Sequence, residues 1–250
     1  MATGEPAPSI WMRPERAAVG RPAQHSRAEI TAAALAIADR DGLDAVSMRR
    51  VAAELGTGAA SLYRYVETRD ELLDLMTDAV GGDYDLPPPS GDWLADLVAF
   101  GEQSREIMRR HPWLPSLVME RPVLGPNGLA QLEYVLTVLA RHPADTRAKM
   151  EAFATLSGVT AAFAQHELAG GSQLQQRNVA YLQQALASGE HPRLAELLSA
   201  GPAPAGPGPA GPEPAGPEDR YAVIIGRILT GLLGPAGQPP AAGPCGDSAG

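Results

Sequence analysis

The 250-residue chain has a net charge of −9, with 44% hydrophobic and 20% charged residues, a balance that suits a globular protein. A lone cysteine, Cys245, excludes a disulfide framework within the chain and fits a reducing cytoplasm. No apolar run approaches the roughly 18–20 residues of a membrane span, and no signal-type apolar segment opens the chain, so neither membrane nor secretion is expected.

Residues 1–24 are rich in Pro, Gly, Ala and Arg and show no helical period. They read as a flexible basic arm carrying Arg13, Arg16 and Arg21. Such arms can enter a minor groove, though a solvated leader has the same composition. Residues 25–82 then read as a unit of short helices. Ser26 and Glu29 have capping-box spacing, Thr68 and Glu71 repeat it, and Ser47 is a third cap. Ile30, Ala34, Ile37 and Ala38 mark one buried face, Val51, Ala52 and Leu55 a second, and Leu62 with Val66 a third. Leu72, Leu75, Met76 and Ala79 mark a fourth. Gly81-Gly82 and Pro87-Pro88-Pro89 break the pattern.

A larger helical domain is expected over 90–233. One stripe runs Trp93, Leu97, Phe100, Gly101, Met108 and stops at His111-Pro112. Leu129, Leu132, Val135, Leu136 and Leu139 mark another helix. The longest falls at 144–169, with Phe153, Leu156, Val159, Thr160 and Phe163, and shorter ones at 173–188 and 193–199. Residues 200–218 repeat Gly, Pro and Ala and cannot bury a core, so they read as a disordered linker. A last apolar helix covers 221–233, and 234–250 reads as a disordered tail. Strand alternation is absent throughout, so the class is all-α: an N-terminal three-helix unit followed by a larger helical bundle.

Within 47–66 lies a helix-turn-helix pattern. Helix one spans about Met48–Leu55, Gly56 supplies a left-handed turn, and helix two spans about Ala59–Tyr65. Neither is long enough to stand alone, so the helix at 26–41 must pack across both. The second helix of such a motif enters the major groove and offers its first residues to base edges, here Ala59, Ala60 and Ser61. Alanine can touch a thymine methyl, and serine can donate or accept. Tyr63, Arg64 and Tyr65 follow, and Arg49 and Arg69 are placed for backbone or base contact. Net acidity does not forbid this, because DNA binding needs a local excess only. From Trp11 to Arg69 nine arginines face seven carboxylates.

Residues 26–80, above all the run SMRRVAAELGTGAASLYRYVETRDELLDLM at 47–76, resemble the DNA-binding domain of the TetR family of repressors. The resemblance implies that Arg49, Ser61, Tyr63, Tyr65 and Arg69 contact operator DNA, while Leu62 and Val66 pack. The C-terminal half, through RRHPWL (109–114), Arg121-Pro122 and the helix ending in Gln-His-Glu167, resembles the branch of the tetracycline repressor. That likeness implies a homodimer held by a four-helix bundle built from the helices at 144–169 and 220–233. The branch holds a drug–magnesium chelate through histidines and nearby carboxylates. Glu167 falls where a carboxylate is expected, but the histidine positions hold Asp85 and Leu117, so magnesium, tetracycline or any other cofactor is not expected.

A small apolar ligand suits a pocket between bundle helices, and Trp93, Phe100, Met108, Trp113, Phe153, Phe163 and Glu167 are its candidate lining, with Met119 beside them. Taken singly, each of these side chains reads first as core, and only together do they suggest a pocket. The five histidines have no metal-ligand spacing, and no phosphate loop, nucleophile elbow or carboxylate pair stands out, so an enzyme is not expected. Two readings stay open beside a ligand-responsive repressor that binds a two-fold symmetric DNA operator. One is a helical scaffolding protein that does not act on DNA, and the other a bundle enzyme with a cofactor.

Overall fold

The computed structural model describes residues 9–14, 25–121, 123–169, 179, 181–182, 184–199 and 217–234. They form helices and turns, with no strand among the described residues. The helices are α1 (Arg27–Asp41), α2 (Met48–Glu54), α3 (Ala59–Leu62), α4 (Arg69–Val80), α5 (Trp93–Arg110), α6 (Leu114–Glu120), α7 (Pro126–Val138), α8 (Thr146–Leu168), α9 (Pro192–Ser199) and α10 (Pro217–Leu233).

Local chemistry starts them. The Ser26 hydroxyl accepts from the Glu29 amide at 3.1 Å while the Glu29 carboxylate accepts from the Ser26 amide at 2.7 Å, closing the capping box. Ser47 caps α2 through the Arg50 amide. At α4 only half the expected box forms. Thr68 accepts from the Glu71 amide at 3.1 Å, but the Glu71 carboxylate turns away to the Glu67 amide and to Arg13. Gly56 takes φ +64°, which a side chain would strain, and so permits the turn between α2 and α3.

One core gathers α1, α2, α3 and α4 and continues into α6 and the ends of α5 and α8. Ala52, 1% exposed, lets α2 cross closely, and Leu62 is sealed beneath α3. A second core joins α5, α7, α8 and α10, where Tyr221, Ile225, Leu229 and Leu233 form a buried stripe at every fourth residue. On α7 the core face is Val135, Val138 and Leu139, whereas Leu129 is exposed, so the expected stripe begins one turn too early.

Three other expectations shift. Residues 9–14 of the arm are ordered: Ile10–Met12 makes a 3-10 turn with Ile10 buried. Pro217 and Glu218 belong to α10 rather than to the linker, proline being well suited to a first helical turn. Of the helix expected at 173–188, residues 179, 181–182 and 184–187 are helical, while 173–178, 180 and 183 lie outside the described residues, as do 200–216 and 235–250.

The two units are joined by polar contacts. Asp39 of α1 takes a hydrogen bond from the Trp113 indole at 2.7 Å and meets His111 at 2.8 Å. Arg121, capping α6, pairs with Asp70 at 2.8 Å and Asp74 at 3.0 Å, both on α4.

Candidate DNA-reading helix and ligand cavity

The short α3 follows the Gly56 turn and rests on Leu62, Tyr65 and Val66, which share one face at spacings of three and four. That spacing leaves Ala60, Tyr63 and Arg64 pointing outward, together with Arg49 on α2, while Ala59 and Ser61 are half-buried. Tyr63 is 49% exposed, so its ring and hydroxyl are open to a partner. An arginine, an arginine–tyrosine pair and small residues on one outward face offer what base edges and phosphates accept. The Arg64 guanidinium stands 6.0 Å from the Tyr65 ring centroid.

Three of the expected reading residues are differently engaged. Tyr65 turns inward at 6% exposure, because its spacing from Leu62 puts it on the packing face. The Ser61 hydroxyl donates to the Gly58 carbonyl at 2.7 Å and shares a hydrogen bond with Thr57, so it braces the start of α3. Arg69 donates to the Val46 and Leu43 carbonyls at 3.0 and 3.1 Å, tying α4 to the turn before α2. Arg13 is ion-paired with Glu67 and Glu71 instead of extending from a free arm. Arg16 and Arg21 lie outside the described residues.

The cavity, about 440 Å³, is walled by α4, α5, α6, α7 and α8 and by Arg121, Val123 and Leu124 between α6 and α7. That volume suits a small organic molecule. Its walls are largely apolar: Val80, Met108, Leu114, Val118, Val123 and Phe153. Polar groups interrupt them at Asp78, Tyr84, Ser104, Gln131 and Ser157. Burial pushes the Tyr84 phenol up to about 12 against the opposing hydrogen bond with Ser104, so it stays a neutral hydroxyl. Asp78, 7% exposed, accepts from the Asn127 and Gly128 amides, both at 3.0 Å. It thereby caps α7, whose own N-cap residue, Gly125, has no side chain to do so. Arg121 also borders the cavity, its charge met by Asp70 and Asp74.

Of the expected lining, Met108 and Phe153 border the cavity, as does Met119. The others are placed elsewhere. Trp93 packs its edge on His142, with ring centroids 4.9 Å apart, and Phe100 stacks between Tyr84 and Tyr134. Trp113 sits in the joint with α1, Phe163 meets Tyr221 edge-on, and Glu167 is paired with Arg105 at 2.5 Å and Arg109 at 3.0 Å. For Trp93 helix length is the reason: it opens α5 while Met108 lies near the other end, about 22 Å away at 1.5 Å per residue, so one pocket cannot use both. Asp78, Tyr84, Ser104, Gln131 and Ser157 were missed. The available signal was an acidic residue on the apolar face of α4, and a helix start at Gly125-Pro126-Asn127 with no cap of its own.

Comparison with known proteins places these features. The model of the tetR family of bacterial regulatory proteins matches residues 30–76, and that of the tetracyclin repressor-like C-terminal domain matches residues 87–205. The chain is 35% identical over 205 residues to the HTH-type transcriptional repressor DrrR1 of Streptomyces coeruleorubidus, covering 81% of this chain and 75% of that one. It is 42% identical over 141 residues to an HTH-type transcriptional regulator of Saccharopolyspora erythraea, covering 56% of this chain but only 59% of the relative's length. ActR of Streptomyces coelicolor, solved in complex with actinorhodin, superposes with a TM-score of 0.69 at 31% identity, over 86% of this chain and 99% of ActR. Its complex with (S)-DNPA gives a TM-score of 0.70 at 32% identity, over 86% of this chain and all (100%) of ActR.

Proposed function

Because the chain belongs to the TetR family of DNA-binding transcriptional regulators, we propose that it is a homodimeric repressor released from a two-fold symmetric operator by a small molecule. The observation that carries this reading is the outward face of the helix-turn-helix, where Arg49, Ala60, Tyr63 and Arg64 stand clear of a fully packed core. Ala60 and the Tyr63 hydroxyl meet base edges, while Arg49 and Arg64 meet phosphates. Ala59 and Ser61 start the reading helix at the groove.

The cavity takes an apolar molecule carrying hydroxyl or carbonyl groups. Its lining is apolar with scattered neutral donors and acceptors, and Arg121 is already neutralised. The complexes of ActR with actinorhodin and with (S)-DNPA support a small-molecule ligand. The second copy packs on α8 and α10, where Val223 remains 41% exposed on the side away from the buried stripe and Leu232, flanking the stripe, is 41% exposed as well. A ligand works here by preferring the conformation that cannot span the operator, since equal affinity for both would shift nothing.

Selection from a random duplex pool tests the reading. A two-fold symmetric site should emerge, with affinity that falls steeply with salt as counterions are displaced. Addition of actinorhodin, as a first probe, or of a panel of small aromatic compounds should lower the affinity. Recovery of no symmetric site, or salt-independent binding, would overturn it in favour of a scaffolding protein.

A further inference from the structure

The turn at Ile10–Met12 touches both ends of the machinery. On one side it is stitched to the DNA-reading unit. Arg27 donates to the Ile10 carbonyl at 3.0 Å, to the Arg13 carbonyl at 2.9 Å and to the Tyr65 carbonyl at 3.1 Å. Ile10, 2% exposed, is sunk in the same core as Ile30 and Leu72. Arg13 pairs with Glu67, in the segment between α3 and α4, and with Glu71 at 2.6 Å in the first turn of α4. On the other side the Trp11 ring covers Gly125. A β-carbon at Gly125 would stand 2.7 Å from a Trp11 ring carbon and closer still to the Asp78 carboxylate. Gly125 follows Val123 and Leu124, which border the cavity, and opens α7.

We infer that Ser9–Arg13 is a strap that couples the reading unit to the loop at the cavity, with Trp11 and Arg13 as its positioning residues. The strap holds the start of α4 and the 123–125 loop at a fixed separation. A change in either is passed through the turn to the other, in parallel with the direct Asp78 contact inside α4. The Arg13 charge is spent on two carboxylates next to the reading helix. It is therefore an internal tether rather than a groove-seeking cation.

Hydrogen exchange on the full chain tests this with neither operator nor ligand, so it stands or falls separately from the proposed function. Trp11→Ala should speed exchange at least several-fold in both 67–72 and 123–130. Arg13→Gln, which disturbs only the Glu67 and Glu71 contacts, should also speed exchange in 123–130. Trp11→Phe, which keeps a flat apolar ring, should restore slow exchange in both. Helix α10, remote from the strap, should exchange as in the parent. Acceleration confined to the segment each side chain touches would overturn the coupling. So would no change at all, or a uniform rise that includes α10.

Discussion

Replacing Asp78 with alanine should weaken the joint between the reading unit and the bundle by about 3 kcal/mol. The carboxylate is 7% exposed and accepts from two backbone amides at 3.0 Å and from the Asn127 side-chain amide at 3.3 Å. Each hydrogen bond to a charged acceptor contributes roughly 1.5–3 kcal/mol, and the negative group at the start of α7 adds about 0.5 kcal/mol through the helix dipole. The sum overstates the loss. The bonds share one acceptor group, and water in the adjoining cavity can reach the freed amides. A net 3 kcal/mol corresponds to a fall in Tm of about 6–12 °C for a chain of this size. Thermal and urea melts at one fixed protein concentration would measure it. Asp78→Asn separates charge from acceptor count. Its oxygen can still cap the backbone amides, but its nitrogen faces the Asn127 amide, so a loss of about 1 kcal/mol is expected. Alanine within 0.5 kcal/mol of the parent, a threshold of about the size of a neutral surface change, would refute the reasoning.

Acid should unpick the Arg105–Glu167–Arg109 cluster. Burial alone would raise the Glu167 carboxyl, but hydrogen bonds from Arg105 and Arg109 outweigh it and hold the group below the usual carboxylate range. The folded state thus binds the proton less readily than the unfolded one. The stability from this pair is complete above the ordinary carboxylate pKa and drains as pH falls through the lower folded value. Glu167→Gln should accordingly flatten the acid limb of a stability–pH curve, and an unchanged slope would refute the assignment. Gly101→Ala should cost about 1–3 kcal/mol by overpacking, since its new carbon meets the Tyr221 hydroxyl and stands 3.0 Å from a Leu156 methyl. Tyr221→Phe in the same chain should relieve part of that loss, and additive melts would contradict the contact. At the reading helix, Tyr63→Ala should weaken operator binding in a titration while Tm stays put. Leu62→Ala, at a fully sealed site, should cost about 2–5 kcal/mol in a melt.

The helices of the reading unit were legible because their signals are local. A hydroxyl at Ser26, Ser47 or Thr68 and an amide three residues on decide where each helix starts. The positive φ of Gly56 follows from glycine itself. Even there, tertiary contact altered a detail. Arg13, remote in sequence, draws the Glu71 carboxylate out of its box. The inward turn of Tyr65 was readable from its spacing to Leu62, yet the family resemblance pointed to DNA.

The cavity was hidden for a different reason. Aromatic and methionine residues on long helices look alike whether they face a void or a packed neighbour, and only the crossing of five helices distinguishes Met108 and Phe153 from Phe100 and Phe163. Its polar groups depend on partners far along the chain, as where Asp78 meets Asn127 across 49 residues. Local pattern, which reports one helix at a time, determined the all-α class, the helix starts and the outward face of the reader. The strap, the clasp at Asp78 and the shape of the cavity were decided by tertiary packing, because each is a relation between surfaces that no single stretch of sequence contains.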